Sequence, residues 1–199
     1  MFLADGADPS LPDDKGDTPA MISCSASRHS SIEQPEILAE LIAAGADLDA
    51  RNLIGSTASM AACMAGDPRC LSLLIAAGCD LTLVDDRLNT ACHHAAAHAN
   101  PDCLRMLIAA SCPLNSRARD GSTPAHIAAK FGRARSLEIL AAAGADLSSK
   151  NDSFLDPLAL AWKFHRADCA RLIKAHLERA ALEGCASHGS TEPRPHPRI

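Results

Sequence analysis

The word Ala-Ala-Gly returns at a fixed interval of 33 residues, at Ala43-Ala44-Gly45, Ala76-Ala77-Gly78 and Ala142-Ala143-Gly144, with Ala109-Ala110-Ser111 in the remaining slot. A second marker, a Thr opening an Ala-rich segment, keeps the same phase at Thr57, Thr90 and Thr123, with Asp156 in the next slot and Thr18 39 residues before Thr57. Two markers in one phase restrict the chain to architectures that stack one supersecondary unit repeatedly, because a unit this short cannot bury its apolar face alone. A hydrophobic fraction of 47% supplies the apolar residues that a stack needs and is too high for a disordered polymer.

Each unit reads as helix, turn, helix and extended loop. Thr18-Pro19 and Thr123-Pro124 place a capping hydroxyl before a proline that has no N–H to lose, which opens the first helix. Asp67-Pro68 and Asn100-Pro101 open the second helix by the same device, and Gln34-Pro35 stands in the equivalent place. Gly45, Gly78 and Gly144 supply the left-handed residue that ends it. Ala46-Asp47-Leu48 and Ala145-Asp146-Leu147 then lead into tight turns containing Gly16, Gly55 or Gly121.

With Gly121-Ser122-Thr123-Pro124-Ala125-His126-Ile127-Ala128-Ala129 and Gly144-Ala145-Asp146-Leu147, and weaker copies from Asp13 to about Arg179, the chain resembles an ankyrin-repeat protein. The resemblance implies an all-α solenoid of stacked helix-turn-helix units with short β-turn loops. Those loops would project beside a concave surface made by the first helices. The expected organisation is a truncated half unit over residues 1–12, five units over 13–180, and a disordered tail over 181–199.

Departures from the pattern mark this member. About six extra residues lie between Ser27 and Ile32, an insertion that maps to a surface loop. Leu88 and Phe154 replace the turn glycine, so those turns either adopt another geometry or bear a cost of roughly 1 kcal/mol. Phe2 to Asp8 match the end of a second helix with no first helix before it, which makes a structural segment of a larger array an alternative function; the chain is expected to be a monomer or part of such a larger chain.

The chain has nine cysteines, and most fall into register. Cys70, Cys103 and Cys169 share one position, Cys79 and Cys112 another, and Cys24 and Cys63 a third, in slots that other units fill with Ala or Ser. They are expected to be small buried residues. Equivalent positions in stacked helices lie roughly 8 to 10 Å apart, whereas a disulfide needs Cα atoms within about 7 Å, so column mates cannot bond. Pairs from different columns stay open. The compartment implied is reducing and cytoplasmic, and Met1 to Leu11, with Asp5, Asp8 and Pro9, have no signal-peptide pattern.

Composition excludes several function classes. The net charge is -5 with cations scattered through the chain, which gives no basic stripe for nucleic acid. No apolar run reaches the roughly 18 residues that a membrane span needs. Phosphate loops, nucleophile elbows and carboxylate pairs outside the turns are missing, so no catalytic residue is assigned. Asp13-Asp14 and Asp85-Asp86 stand at turn starts, where Asp satisfies backbone N–H groups. One Cys/His group, Cys92, His94, His98 and Cys103, is an alternative metal-binding or redox-responsive site, although its spacing does not build a closed tetrahedral set. His93 aligns with His126, and the resemblance implies that its ring bonds backbone around the turn. No cofactor or metal is assigned.

The resemblance implies instead a non-enzymatic module that binds a protein or peptide at loop tips and first-helix ends. Carried onto this chain, the candidate contact residues are Leu53, Ile54, Met64, Arg87, His98, Arg119, Lys130, Phe131, Leu155, Lys163 and Phe164. Leu53 and Ile54 put apolar side chains at a loop tip. Phe131 and Phe164 repeat beside Lys130 and Lys163, in a chain with four Phe and one Trp, and either face a partner or fold back to cap their own units. Trp162 takes a slot that earlier units fill with small residues and is expected either to fill space in the terminal unit or to face a neighbour. The four cations Arg87, Arg119, Lys130 and Lys163 favour an acidic partner segment.

Overall fold

In a computed structural model, which describes residues 8–25, 34–98 and 100–186, with side chains as far as 182, the chain is a stack of helix pairs. Ten helices are present among the described residues: α1 (Pro19–Ser25), α2 (Gln34–Ala43), α3 (Ala58–Ala65), α4 (Pro68–Ala76), α5 (Ala91–Ala97), α6 (Pro101–Ala109), α7 (Pro124–Phe131), α8 (Ala134–Ala142), α9 (Pro157–Lys163) and α10 (Ala167–Ala186). The odd-numbered helices form one row and the even-numbered helices a second, each helix packing on its row neighbour and on its own partner. α10, 20 residues long, runs to Ala186, so residues 181–186, expected to belong to the tail, are helical. Residues 1–7, the insertion near Ser27 to Ile32 and residues 187–199 lie outside the described residues.

The two rows are held together by different chemistry. First helices are short and Ala-rich, and Ala58, Ala62, Ala91, Ala95, Ala96, Ala125, Ala128, Ala129 and Ala161 are buried, which lets successive backbones approach closely. Second helices carry a leucine pair at i and i+3, on one helical face: Leu38 and Leu41, Leu71 and Leu74, Leu104 and Leu107, Leu137 and Leu140, all buried. Asp67 and Asn100 cap their helices as expected, with side-chain oxygens accepting the N–H groups of Arg69 and Cys70, and of Asp102 and Cys103.

Turn tips are laced from unit to unit by backbone bonds: Leu53 N–H to the Lys15 carbonyl at 3.0 Å, Asp86 N–H to Ile54 at 3.1 Å, Arg119 N–H to Arg87 at 2.8 Å and Asp152 N–H to Asp120 at 3.0 Å. An Asx oxygen organises most of these turns. Asp13, Asn52, Asp85 and Asn151 each accept two N–H groups, two and four residues on. Ala118 occupies this slot in the fourth unit, and there Asp120 accepts the Ser122 N–H instead, at 3.0 Å.

Leu88 and Phe154 resolve the choice left by the sequence. They take the glycine geometry itself, with φ of 60° and 59°, so the strain is borne. Both side chains project outward, Phe154 at 82% exposure, and little packing offsets that strain. Leu88→Gly and Phe154→Gly are each expected to stabilise the fold, by about 0.5 to 1 kcal/mol, since glycine's greater freedom when unfolded cancels part of the relief. Urea denaturation midpoints check this, and an unchanged or lower midpoint in both variants contradicts it.

Candidate functional site

The inner row, made of the first helices, and the turn tips carry the candidate contact residues. Leu53 and Ile54 are 75% and 63% exposed at the second tip, Arg87 and Arg119 stand at the third and fourth, and Met64, His98, Phe131, Lys163 and Phe164 are exposed at the ends of the first helices. Lys130 is half-buried because its ammonium lies 5.7 Å from the ring centroid of Phe131 and 5.7 Å from that of Phe164. The two rings therefore do not simply cap their own helix pairs; they hold a cation between neighbouring units. Leu155 is half-buried, and its backbone belongs to the framework, with its N–H on Asn151 and its carbonyl on His126.

The histidines divide into framework and face. His93 Nδ1 accepts the Thr90 N–H at 3.1 Å and lies 3.0 Å from the Thr90 hydroxyl, and its Nε2 donates to the Ser122 carbonyl of the next unit at 3.2 Å. His126 repeats the arrangement with Thr123 and with the Leu155 carbonyl at 3.1 Å. The Thr123 hydroxyl meets the His126 ring at 2.9 Å within a capping box at the head of α7. Burial lowers the pKa of His93 to about 4 and also lowers that of His126, so both rings are neutral bridges between units. His94 faces the groove, with Nε2 3.0 Å from Asp85 Oδ2. Burial outweighs the pull of Asp85 and lowers the His94 pKa, so the neutral ring donates. Asp85 stays ionised: burial pushes it up, but bonds from Asn89 and the Arg87 N–H, together with His94, bring it below the usual carboxylate range.

The four residues of the alternative metal or redox site do not converge. Cys92 neighbours the thiol of Cys112, Cys103 that of Cys63, His94 is committed to Asp85, and His98 is exposed at the end of α5. No cluster of three or more metal-ligating side chains exists among the described residues. The eight described cysteines are free thiols, seven of them buried, and neighbouring thiols come from different columns: Cys24 with Cys70, Cys63 with Cys103 and Cys92 with Cys112. The adjacent thiol and burial together raise Cys24, Cys63 and Cys92, so these sulfurs are packing groups, not nucleophiles.

A cavity of about 550 Å³ opens in the face between the third and fourth units. Arg87, Asn89, Ala118, Arg119 and Asp120 wall it from the turn tips, and His93, His94, Ala97, Ile127, Lys130 and Phe131 from α5 and α7. Sequence reasoning reached Arg87, Arg119, Lys130 and Phe131 but missed the cavity, whose readable signal is the pair of small residues Ala97 and Ala118 in slots filled elsewhere by larger side chains. Trp162 is 58% exposed, so of its two expected roles it does not fill space in the terminal unit. Its slot is fully buried in earlier units, as Cys63, Ala96 and Ala129, and no first-row helix follows α9 among the described residues.

A family model for ankyrin repeats, three copies long, matches residues 30–118 and again residues 59–151. The chain belongs to the ankyrin-repeat family. No curated protein matches it. Ankyrin repeats are in general protein–protein interaction modules and non-enzymatic, and no helix among the described residues is long and apolar enough to cross a membrane. The Thr-Pro-x-His word of this ankyrin chain thus has a visible task. His126, and His93 at the same position one unit earlier, tie their units to the turn of the next and so set the spacing of those turn tips.

Proposed function

We propose that this chain is a non-enzymatic interaction module that binds a protein or peptide along the inner face, from Leu53 and Ile54 at the second tip to Lys163 and Phe164 at the end of α9. The observation that carries the reading is the Phe131–Lys130–Phe164 stack, where two exposed rings and a cation are fixed across two units. Aromatic anchors with a cation between them suit a desolvated contact and serve no framework need. The cations Arg87, Arg119, Lys130 and Lys163 favour an acidic segment in the partner, and the free buried thiols fit a reducing compartment.

Affinity capture from a cell extract tests this, comparing the native chain with a Leu53→Ser, Ile54→Ser, Phe131→Ala, Phe164→Ala variant whose circular dichroism is unchanged. The expected result is a protein, identified by mass spectrometry and rebound in purified form, that the native chain retains and the variant loses. Equal retention by both overturns the assignment of the face.

A further inference from the structure

We infer that the cavity between the third and fourth units is a receptor for a single carboxylate of the bound protein, an Asp or Glu side chain in an extended acidic segment; this rests on the protein-binding reading above. The cavity is a property of this chain and not of the repeat. Ala97 stands where Met64, Lys130 and Lys163 stand in other units, and Ala118 where Asp13, Asn52, Asp85 and Asn151 organise the other turns. Both small residues fall at one place on the face, and together they leave the space.

The charges around that space are unequally committed. Arg87, Arg119 and Lys130 form no ion pair among the described residues, while neighbouring tip cations do: Arg51 meets Asp86 at 3.7 Å and Arg117 meets Asp152 at 3.3 Å. The acid in the lining, Asp120, and the one behind His94, Asp85, already have work. Asp85 holds His94, Asn89 and two N–H groups, and Asp120 caps the Ser122 N–H. With His94 neutral, the lining holds three cations and one acid, Asp120, and the ionised Asp85 stands directly behind His94; counted together they leave one net positive charge in a chain whose total is -5. One carboxylate balances it, whereas a phosphate dianion beside Asp120, with Asp85 behind His94, overshoots.

The donors are also held in place before anything binds. Lys130 is steadied by two rings, and the Arg119 N–H bonds the Arg87 carbonyl at 2.8 Å, which fixes the spacing of the tips that carry the two guanidiniums. Less side-chain freedom is therefore lost on binding than at an ordinary surface cation pair. Ile127 and Phe131 give the same cavity an apolar wall for the chain on either side of the carboxylate.

Fluorescence anisotropy of the full chain at low ionic strength tests the assignment with three labelled probes. One is a short Gly/Ser peptide carrying central glutamates, the second its glutamine counterpart, and the third its phosphoserine counterpart. The glutamate peptide is expected to bind, the glutamine peptide to bind about tenfold more weakly or not at all, and added salt to weaken the first. Ala118→Asp installs the residue that Asp13 and Asp85 represent in other turns, so the fold is retained while the cavity is filled and its charge cancelled. It is expected to weaken the glutamate peptide about tenfold, as is Lys130→Gln, with Arg69→Gln on the outer row as the unchanged control.

Equal binding of the glutamine peptide, no binding of the glutamate peptide, or equal loss in Arg69→Gln overturns the proposal. A phosphoserine peptide that binds the native chain where glutamate does not overturns the carboxylate in favour of phosphate. A captured partner lost by the Phe131→Ala, Phe164→Ala chain but kept by Ala118→Asp overturns the cavity alone and leaves the interaction module standing.

Discussion

His126→Ala is expected to destabilise the folded chain by about 4 kcal/mol. The side chain is completely buried and makes its bonds in two units at once, with the Thr123 N–H and hydroxyl in its own and the Leu155 carbonyl in the next. Alanine leaves a cavity the size of the ring and strands a buried N–H, for which desolvation alone costs about 1 to 3 kcal/mol. Because stability in a stack is the sum of unit terms and neighbour interfaces, the loss falls on the coupling between the fourth and last units. Trp162, the one tryptophan in the chain, reports on that last unit. Its fluorescence transition in urea is expected to precede the loss of helical circular dichroism in the variant and to coincide with it in the native chain. A total loss below about 1 kcal/mol, with coincident transitions, would show that the ring does not bind the units together.

Acidification from neutral pH to pH 4 is expected to remove about 3 kcal/mol through His93 alone. Burial holds its folded pKa near about 4, against an ordinary value of 6.5. A base whose folded pKa is depressed binds its proton more readily when unfolded. Stability is therefore full above pH 6.5, falls as pH drops below that value, and stops falling once the folded ring also protonates near pH 4. Burial lowers His126 and His94 as well, so they contribute with the same sign. Asp120 and Asp146, whose pKa values lie below the ordinary 3.8, act in a separate window below that value, where protonation removes their bonds to turn N–H groups. Urea denaturation between pH 7 and pH 4 measures the slope, and His93→Gln, less stable at neutral pH, is expected to lose less on acidification. Equal stability at pH 7 and pH 5 in the native chain would contradict the assignment.

Much of the framework was legible because it depends on residues a few positions apart. The Thr90 and Thr123 capping boxes, the Asp67 and Asn100 caps and the turn-start Asp13 and Asp85 act through hydrogen bonds spanning four residues or fewer, which spacing encodes directly, and Gly45, Gly78 and Gly144 take the left-handed geometry expected of them. The strained turns were legible as a choice, and Leu88 and Phe154 resolved it by taking the left-handed geometry. The candidate site was legible only in part. A column of equivalent positions names Arg87, Arg119, Lys130, Phe131, Lys163 and Phe164, but the column does not say which of them touch.

What the sequence alone determined is the period, and with it the helix pairs, the rows and the identity of the tips, since a 33-residue phase leaves one way to bury alanine and leucine faces. Tertiary structure decided everything that joins one unit to the next out of register. It set Cys63 beside Cys103 in place of a column mate, placed Lys130 between Phe131 of its own unit and Phe164 of the next, and left Trp162 exposed in a slot that is buried elsewhere. It also brought Ala97 and Ala118, 21 residues apart, to the two sides of one cavity. The physical reason is that these contacts depend on the rise and rotation between successive units, which side-chain volumes at the whole interface set together and which no local spacing records.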